Sequence, residues 1–137
     1  MLLNLNEELL VAEDGGGARG VVDAGKRILV KKGREYVVIR CEDVAYFYIE
    51  NGISYLIEAK THYKYIMARP LRNIELSVDS RCFFRATKKY LVNINAVVKF
   101  RPAKKGKLEV QLDPSPKEAI IISQLKAGAF KRWLMEN

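Results

Sequence analysis

The chain has 137 residues and 49% hydrophobic content, which is enough for one domain with its own core and too little for two ordinary domains. No apolar run approaches the roughly 20 residues that cross a bilayer and no secretory signal is recognisable, so we expect a cytoplasmic protein without a membrane partner. The two cysteines and the single histidine lack metal-ligand spacing, and we expect reduced thiols, no metal and no cofactor.

The net charge of +8 is unevenly distributed along the chain. Residues 1–26 hold two basic and five acidic residues, which leaves residues 27–137 with 22 basic and 11 acidic ones, or +11. A domain this basic usually meets a polyanion, most often nucleic acid, although such a surface can also serve solubility alone. Charge by itself does not choose between DNA, RNA and anionic lipid.

Glycine marks the first change of composition. Four of the six residues at 15–20 are glycine, and their backbone freedom disfavours both helix and strand. We therefore predict that residues 1–26 are a flexible N-terminal tail or linker and that residues 27–137 form the folded domain.

Short segments rich in β-branched and aromatic residues follow, separated by turn residues about every ten positions. This pattern predicts antiparallel strands, the first of them at 27–31, 35–40, 46–50, 53–58 and 63–67. The Asn51-Gly52 pair is the strongest hairpin signal because both residues tolerate positive φ, and Lys32-Gly33 predicts a second turn.

One short helix should interrupt the strands. Pro70 suits a first helical turn, and Leu71, Ile74 and Val78 repeat at helical spacing. Strands return at 83–85, 97–101, 107–112 and 119–123. Residues 124–135 predict a closing amphipathic helix whose buried face carries Leu125, Ala129, Phe130, Trp133 and Leu134. The expected fold is mostly β, with antiparallel sheets, one short internal helix and a C-terminal amphipathic helix.

The run FFRATKKYLVNIN at 83–95 resembles the F.R.HRSY.VN core of the LytTR family of DNA-binding domains. Upstream, EDVAYF at 42–47 resembles the family's EDI.YF strand, and PLRNI at 70–74 falls where its SLKEL helix lies. Downstream, IIS at 121–123 and FKRWL at 130–134 resemble the VS and FK.WL ending of one branch. The resemblance covers about residues 27–135.

This resemblance implies a LytTR-type β fold whose loops and one short helical segment contact successive major grooves of double-stranded DNA. Such domains are commonly the output domains of two-component response regulators, so the implied partners include a receiver domain, a histidine-kinase pathway and a second copy on DNA. We expect a sequence-specific transcriptional regulator, either an output domain or a stand-alone relative. We expect no enzyme, because no nucleophile–base pair, phosphate-binding glycine loop or metal-ligand cluster is recognisable.

The first candidate DNA-binding residues lie in two turns that the resemblance marks. Lys88 and Lys89 can neutralise phosphates or donate to guanine, or they form an ordinary solvated pair. Asn51, Gly52 and Ser54 lie at a hairpin tip that can approach a base edge, although Asn-Gly is also simply a good turn.

A second group lies before and within the closing helix. Ser123 and Gln124 stand where the family has a Ser-Arg pair; Gln124 can bond adenine but cannot neutralise a phosphate, so Lys126 is expected to supply charge. Asn93 either reaches DNA or bonds its own backbone as a turn or cap. Arg85 either contacts phosphate or pairs with a carboxylate inside the fold.

Departures from the family pattern leave other functions open. Thr87 stands where the family has His, and Lys89 where it has Ser, so an altered sequence preference is implied. The same departures suit an alternative, a protein-interaction or dimerisation module that has lost productive DNA binding. A third possibility is an RNA-binding β domain whose exposed aromatic rings stack on bases. The basic loop at 104–107 ranks below Lys88 and Lys89, because exposed loops are often basic for solubility.

Overall fold

The computed structural model describes residues 20–23, for their backbone, and residues 27–137. The strands are β1 (Gly20–Asp23), β2 (Arg27–Lys32), β3 (Glu35–Arg40), β4 (Val44–Glu50), β5 (Ile53–Glu58), β6 (Lys64–Met67), β7 (Phe83–Thr87), β8 (Tyr90–Asn93), β9 (Val97–Pro102), β10 (Leu108–Leu112) and β11 (Ile120–Ile122). The helices are α1 (Leu71–Ser77) and α2 (Gln124–Glu136). No helix in this part of the chain is long and apolar enough to cross a membrane.

The strands form three antiparallel sheets, as the expected mostly β fold requires. The central sheet has the order β6-β5-β4-β8-β7, and the two outer sheets have the orders β1-β2-β3 and β11-β10-β9. Single helical turns at Cys41–Asp43, Ile94–Ala96 and Lys104–Gly106 join strands to one another.

The strands β4 and β8 run through the middle of the central sheet and are covered on both faces. Phe47 and Leu91, which are cross-strand neighbours, belong to one core, whereas the neighbouring pair Tyr48 and Tyr90 belongs to the other. The two tyrosine rings stack with their centroids 5.6 Å apart. A continuous apolar run is therefore needed in both strands, and cross-strand aromatic pairs fix their register.

The first core lies between the central sheet and the sheet β1-β2-β3, and α1 closes it. Ile28 and Val30 alternate with outward residues along β2, as expected for a strand with one buried face. The residues that predicted α1, Leu71, Ile74 and Val78, are all buried in this core. The helical spacing was therefore a correct guide to the packed face of α1.

The second core lies between the central sheet and the sheet β11-β10-β9, with α2 packed beside it. Phe130 and Trp133 are buried there, and the indole Nε1 of Trp133 donates to the carbonyl of Ser80 at 3.0 Å. The prediction that Leu125 shares this face is wrong, because its side chain is 95% exposed. Ala127 is buried instead, since it stands one helical repeat before Phe130.

The strand β1 lies within the segment that we assigned to the tail. It pairs antiparallel with β2, with Val21 opposite Leu29. The predicted domain boundary at residue 27 stays a prediction, and the remainder of residues 1–26 lies outside the described residues.

We expect Phe47→Ala to lower the free energy of unfolding by about 3–5 kcal/mol, because it empties a fully buried site beside the ring of Phe83. Urea denaturation measures the effect. The control is Leu76→Ala, which removes a largely exposed side chain from α1 and should change stability by less than about 0.5 kcal/mol. Equal losses in the two variants would contradict this description of the core.

Candidate nucleic-acid interface

The turn between β4 and β5 is a two-residue hairpin tip. Asn51 and Gly52 are exposed and have φ of 52° and 78°, which is the combination that a type I′ turn requires. Ser54 was predicted to share this tip, but it is buried in β5, where it pairs with Ile49 and Met67. Of the three candidates at this tip, Asn51 and Gly52 are therefore the exposed ones.

The turn between β7 and β8 presents the two candidate lysines. Lys88 and Lys89 are both exposed between the paired residues Thr87 and Tyr90. The backbone N–H of Lys89 donates to Thr87 Oγ1 at 3.1 Å, and the Lys89 carbonyl accepts from the N–H of Ile49 at 3.0 Å. The lysines are thus fixed beside the end of β4 that leads to the Asn51-Gly52 tip.

The side chain of Arg85 stabilises this turn. Its guanidinium donates to the carbonyls of Thr87 at 3.1 Å and Lys88 at 2.6 Å, and it pairs with the Glu75 carboxylate at 2.8 Å. Its side chain is only 20% exposed. Of the two roles left open for Arg85, the structure shows the internal carboxylate pair, so Arg85 positions the lysines.

The N-terminus of α2 joins the same region. Ser123 caps the helix, since its hydroxyl accepts from the N–H of Lys126 at 3.3 Å. The ammonium group of Lys126 donates to the Arg85 carbonyl at 3.0 Å. This bond ties the beginning of α2 to the strand that carries the Lys88-Lys89 turn.

Gln124 lies against the basic turn between β9 and β10. A Cβ atom placed on Gly106 would lie 2.9 Å from Cγ of Gln124, so a side chain at 106 would collide with it. Lys105 and Gly106 both have positive φ, of 58° and 76°. The basic loop with Lys104, Lys105 and Lys107 is therefore a neighbour of Gln124. In the sequence, the local sign of this turn is the glycine that follows two lysines.

A cleft of about 370 Å³ connects the tip with the lysine turn, and its walls include Asn51, Gly52, Lys89, Lys117 and Glu118. We call the exposed residues that these contacts gather the basic loop surface: Asn51, Gly52, Lys88, Lys89, Lys104, Lys105, Lys107, Gln124 and Lys126. Four segments far apart in sequence contribute to it.

Two carboxylates reduce the net positive charge near the basic loop surface. Glu50 accepts from Lys117 at 2.8 Å and from Lys64 at 3.2 Å, and these bonds lower its pKa to about 2. The Glu118 carboxylate lies 4.0 Å from the ammonium group of Lys89. Both acids border the cleft, so they offset part of the positive charge that a polyanion would meet.

A family model of the LytTr DNA-binding domain matches residues 34–135 of this chain. The chain belongs to the LytTR family. Among solved structures it is similar to one described as the LytTr DNA-binding domain of a proposed methyl-accepting/DNA response regulator from Bacillus cereus. The TM-score is 0.67 at 17% identity, over 80% of this chain and 96% of that one. No curated protein sequence matches. The LytTR family consists of DNA-binding rather than catalytic domains.

Asn93 does not belong to the surface of this LytTR domain. Its side chain is 1% exposed, and its amide donates to the carbonyls of Cys41 at 3.2 Å and Val44 at 2.9 Å. Its side-chain oxygen accepts from the N–H of Asn95. Of the two roles left open for Asn93, the structure shows the capping one.

The cysteines of the LytTR domain are free thiols. Cys41 is buried, which raises its pKa to about 12. Cys82 is exposed as a residue, but partial desolvation of its thiol and the nearby Asp79 carboxylate also raise its pKa. Both thiols therefore stay protonated near neutral pH, where the thiol form is a poor nucleophile.

We expect Asn93→Ala to lower the free energy of unfolding by about 1–3 kcal/mol, because two buried carbonyls lose their donor. Thermal or urea denaturation measures the loss. Asn95→Ala is the matched control, because the Asn95 side chain is exposed and should matter by less than about 0.5 kcal/mol. A DNA affinity that falls in Asn93→Ala while the domain is still folded would contradict the structural role.

Proposed function

We propose that this LytTR domain regulates transcription by binding double-stranded DNA sequence-specifically through the basic loop surface. The observation that carries the proposal is the gathering of four exposed segments by direct contacts: Ile49 to Lys89, Arg85 to Lys88, Lys126 to Arg85, and Gln124 against Gly106. Such short turns and a helix N-terminus can enter a groove, whereas the middle strands of the central sheet are buried on both faces.

The residues divide by chemistry into two roles. Lys88, Lys89 and Lys126 are flexible cations that suit phosphate oxygens, and they supply affinity without reading sequence. Gln124 and Asn51 carry amides, which can bond adenine bidentately at its N6 and N7 atoms. We assign affinity to the lysines and sequence preference to the amides.

The regulator reading extends to partners. The similar Bacillus cereus domain is described as part of a response regulator, and this supports an output domain that a receiver domain and a histidine kinase control in the cytoplasm. A homodimer on two half-sites spaced by whole helical turns is the expected arrangement on DNA.

The RNA-binding alternative has less support. Stacking on single-stranded bases needs exposed aromatic rings on one platform. Tyr46, Tyr48, Tyr90 and Phe47 are buried, and the exposed Tyr63 lies under the ammonium group of Lys32 at 4.4 Å. The rings of Tyr36 and Phe100 are also exposed, but they lie in two different sheets, in β3 and β9.

We expect the Lys88→Ala/Lys89→Ala double variant to bind duplex DNA more weakly, with a salt dependence shallower by about 1–2 in the slope of log K against log salt. The reason is that each lost phosphate contact removes about 0.9 released counterion. Fluorescence anisotropy with a random-sequence duplex pool across a salt series measures both quantities, and selection from the same pool tests for a preferred sequence.

The matched control is Lys60→Ala/Lys131→Ala, which removes the same charge elsewhere. Lys60 lies in the turn after β5, at the opposite end of that strand from the Asn51-Gly52 tip, and Lys131 lies about 10 Å along α2 from Gln124. Equal slopes for the two double variants would show that Lys88 and Lys89 are merely solvated. If the wild type ignores duplex DNA at low salt, the protein-interaction alternative replaces the proposal.

We expect Glu118→Gln to raise duplex affinity at low salt by about two- to fivefold, because it removes a negative charge and releases Lys89. Anisotropy measures the change, which should shrink when Lys89→Ala is added. The control Glu42→Gln breaks a comparable exposed pair with Arg40 that lies outside the basic loop surface, and it should leave duplex affinity unchanged. Lower affinity in Glu118→Gln would mean that this carboxylate orders the site.

A further inference from the structure

The sheet β1-β2-β3 has an outer face whose apolar side chains on β3 are exposed. Cross-strand neighbours on this face are Arg27 with Arg40, Leu29 with Val38, and Lys31 with Tyr36. Val38 is 57% and Tyr36 is 61% exposed, whereas Val37 between them packs against the first core. We call these six residues the outer β-face. Its apolar row is a surface suited to a partner.

The charge of the outer β-face selects an acidic partner. Three of the six residues of this face, Arg27, Lys31 and Arg40, are basic and none is acidic. Arg27 stands directly opposite Arg40, and like charges in that position destabilise a sheet. Within the described part of the chain, Arg40 pairs with Glu42 at 3.4 Å, with both side chains about two-thirds exposed. An acidic segment that also carries apolar side chains would satisfy both features of this face.

The chain itself contains such a segment. Residues 1–14 hold Glu7, Glu8, Glu13 and Asp14 and no lysine or arginine, together with five leucines and a valine. A second copy of the domain would instead bring two cationic faces together, which the charge disfavours.

The connection is long enough. The segment reaches Gly20, the first residue of β1, through six residue steps, or about 20 Å when extended. From β1 to β3 is two strand spacings, about 10 Å. A tether this short gives an effective local concentration in the millimolar range, so even weak docking is favoured.

We propose that the acidic segment, residues 1–14, docks on the outer β-face of its own chain. Its leucines cover Leu29, Val38 and Tyr36, and its carboxylates neutralise Arg27 and Arg40. Docking would occupy a surface separate from the turns of the basic loop surface.

Photo-crosslinking in the full chain tests this docking. Benzoylphenylalanine replaces Tyr36 in one sample and Met135, which is largely exposed on α2, in the control sample. We expect crosslinks within one chain from position 36 to residues 1–14, identified by mass spectrometry, and none from position 135. Crosslinks from position 36 only to a second copy, or no crosslink to residues 1–14, would overturn the proposal.

Variants of the segment separate charge from packing without touching the core. Glu7→Gln/Glu8→Gln should lower the crosslink yield from position 36 roughly threefold or more and make the remainder insensitive to salt. Leu9→Ser/Leu10→Ser should lower the yield at every salt concentration. An unchanged yield in both variants would show incidental proximity and would also overturn the proposal.

Discussion

The burial of β4 and β8 on both faces is the constraint on which the rest of the structure depends. A strand between two cores has no position for a functional polar side chain, since an unpaired polar group there costs free energy. The middle strands of the central sheet are therefore used for packing on both faces. The candidate DNA-contacting residues of this sheet lie in its turns. The Asn51-Gly52 tip and the Lys88-Lys89 turn lie at one end of this sheet because β4 is paired with both β5 and β8.

Arg85 converts that arrangement of strands into a fixed site. Its guanidinium pairs with Glu75 of α1 and also donates to two carbonyls of the lysine turn, while its own carbonyl accepts from Lys126 of α2. One residue, through its side chain and its backbone carbonyl, thus connects both helices with the turn. The planar guanidinium suits this role because it donates in several fixed directions, which a lysine ammonium does not.

Local patterns predicted much of the fold and several residues of the candidate surface. The positive φ of Asn51 and Gly52, the buried stripe of α1 and most strand positions follow from residue preferences and periodicity alone. The sequence could not show that Ser54 and Asn93 are buried, because their burial depends on strands that are distant in the chain. Leu125 misled for a related reason: periodicity gives a helix face, but the packing of α2 decides where that face begins.

The contact between Gly106 and Gln124 could not be predicted from the sequence either, because it depends on how the sheet β11-β10-β9 folds. Gln124 itself is uncharged, and it lies against the turn that carries Lys104 and Lys105. In the free domain Lys89, Lys117 and Lys126 already have partners: Glu118, Glu50 and a backbone carbonyl. If DNA binds to this surface as proposed, it exchanges existing bonds for new ones, which would limit nonspecific affinity and give the amides of Gln124 and Asn51 a larger share in discrimination between sequences.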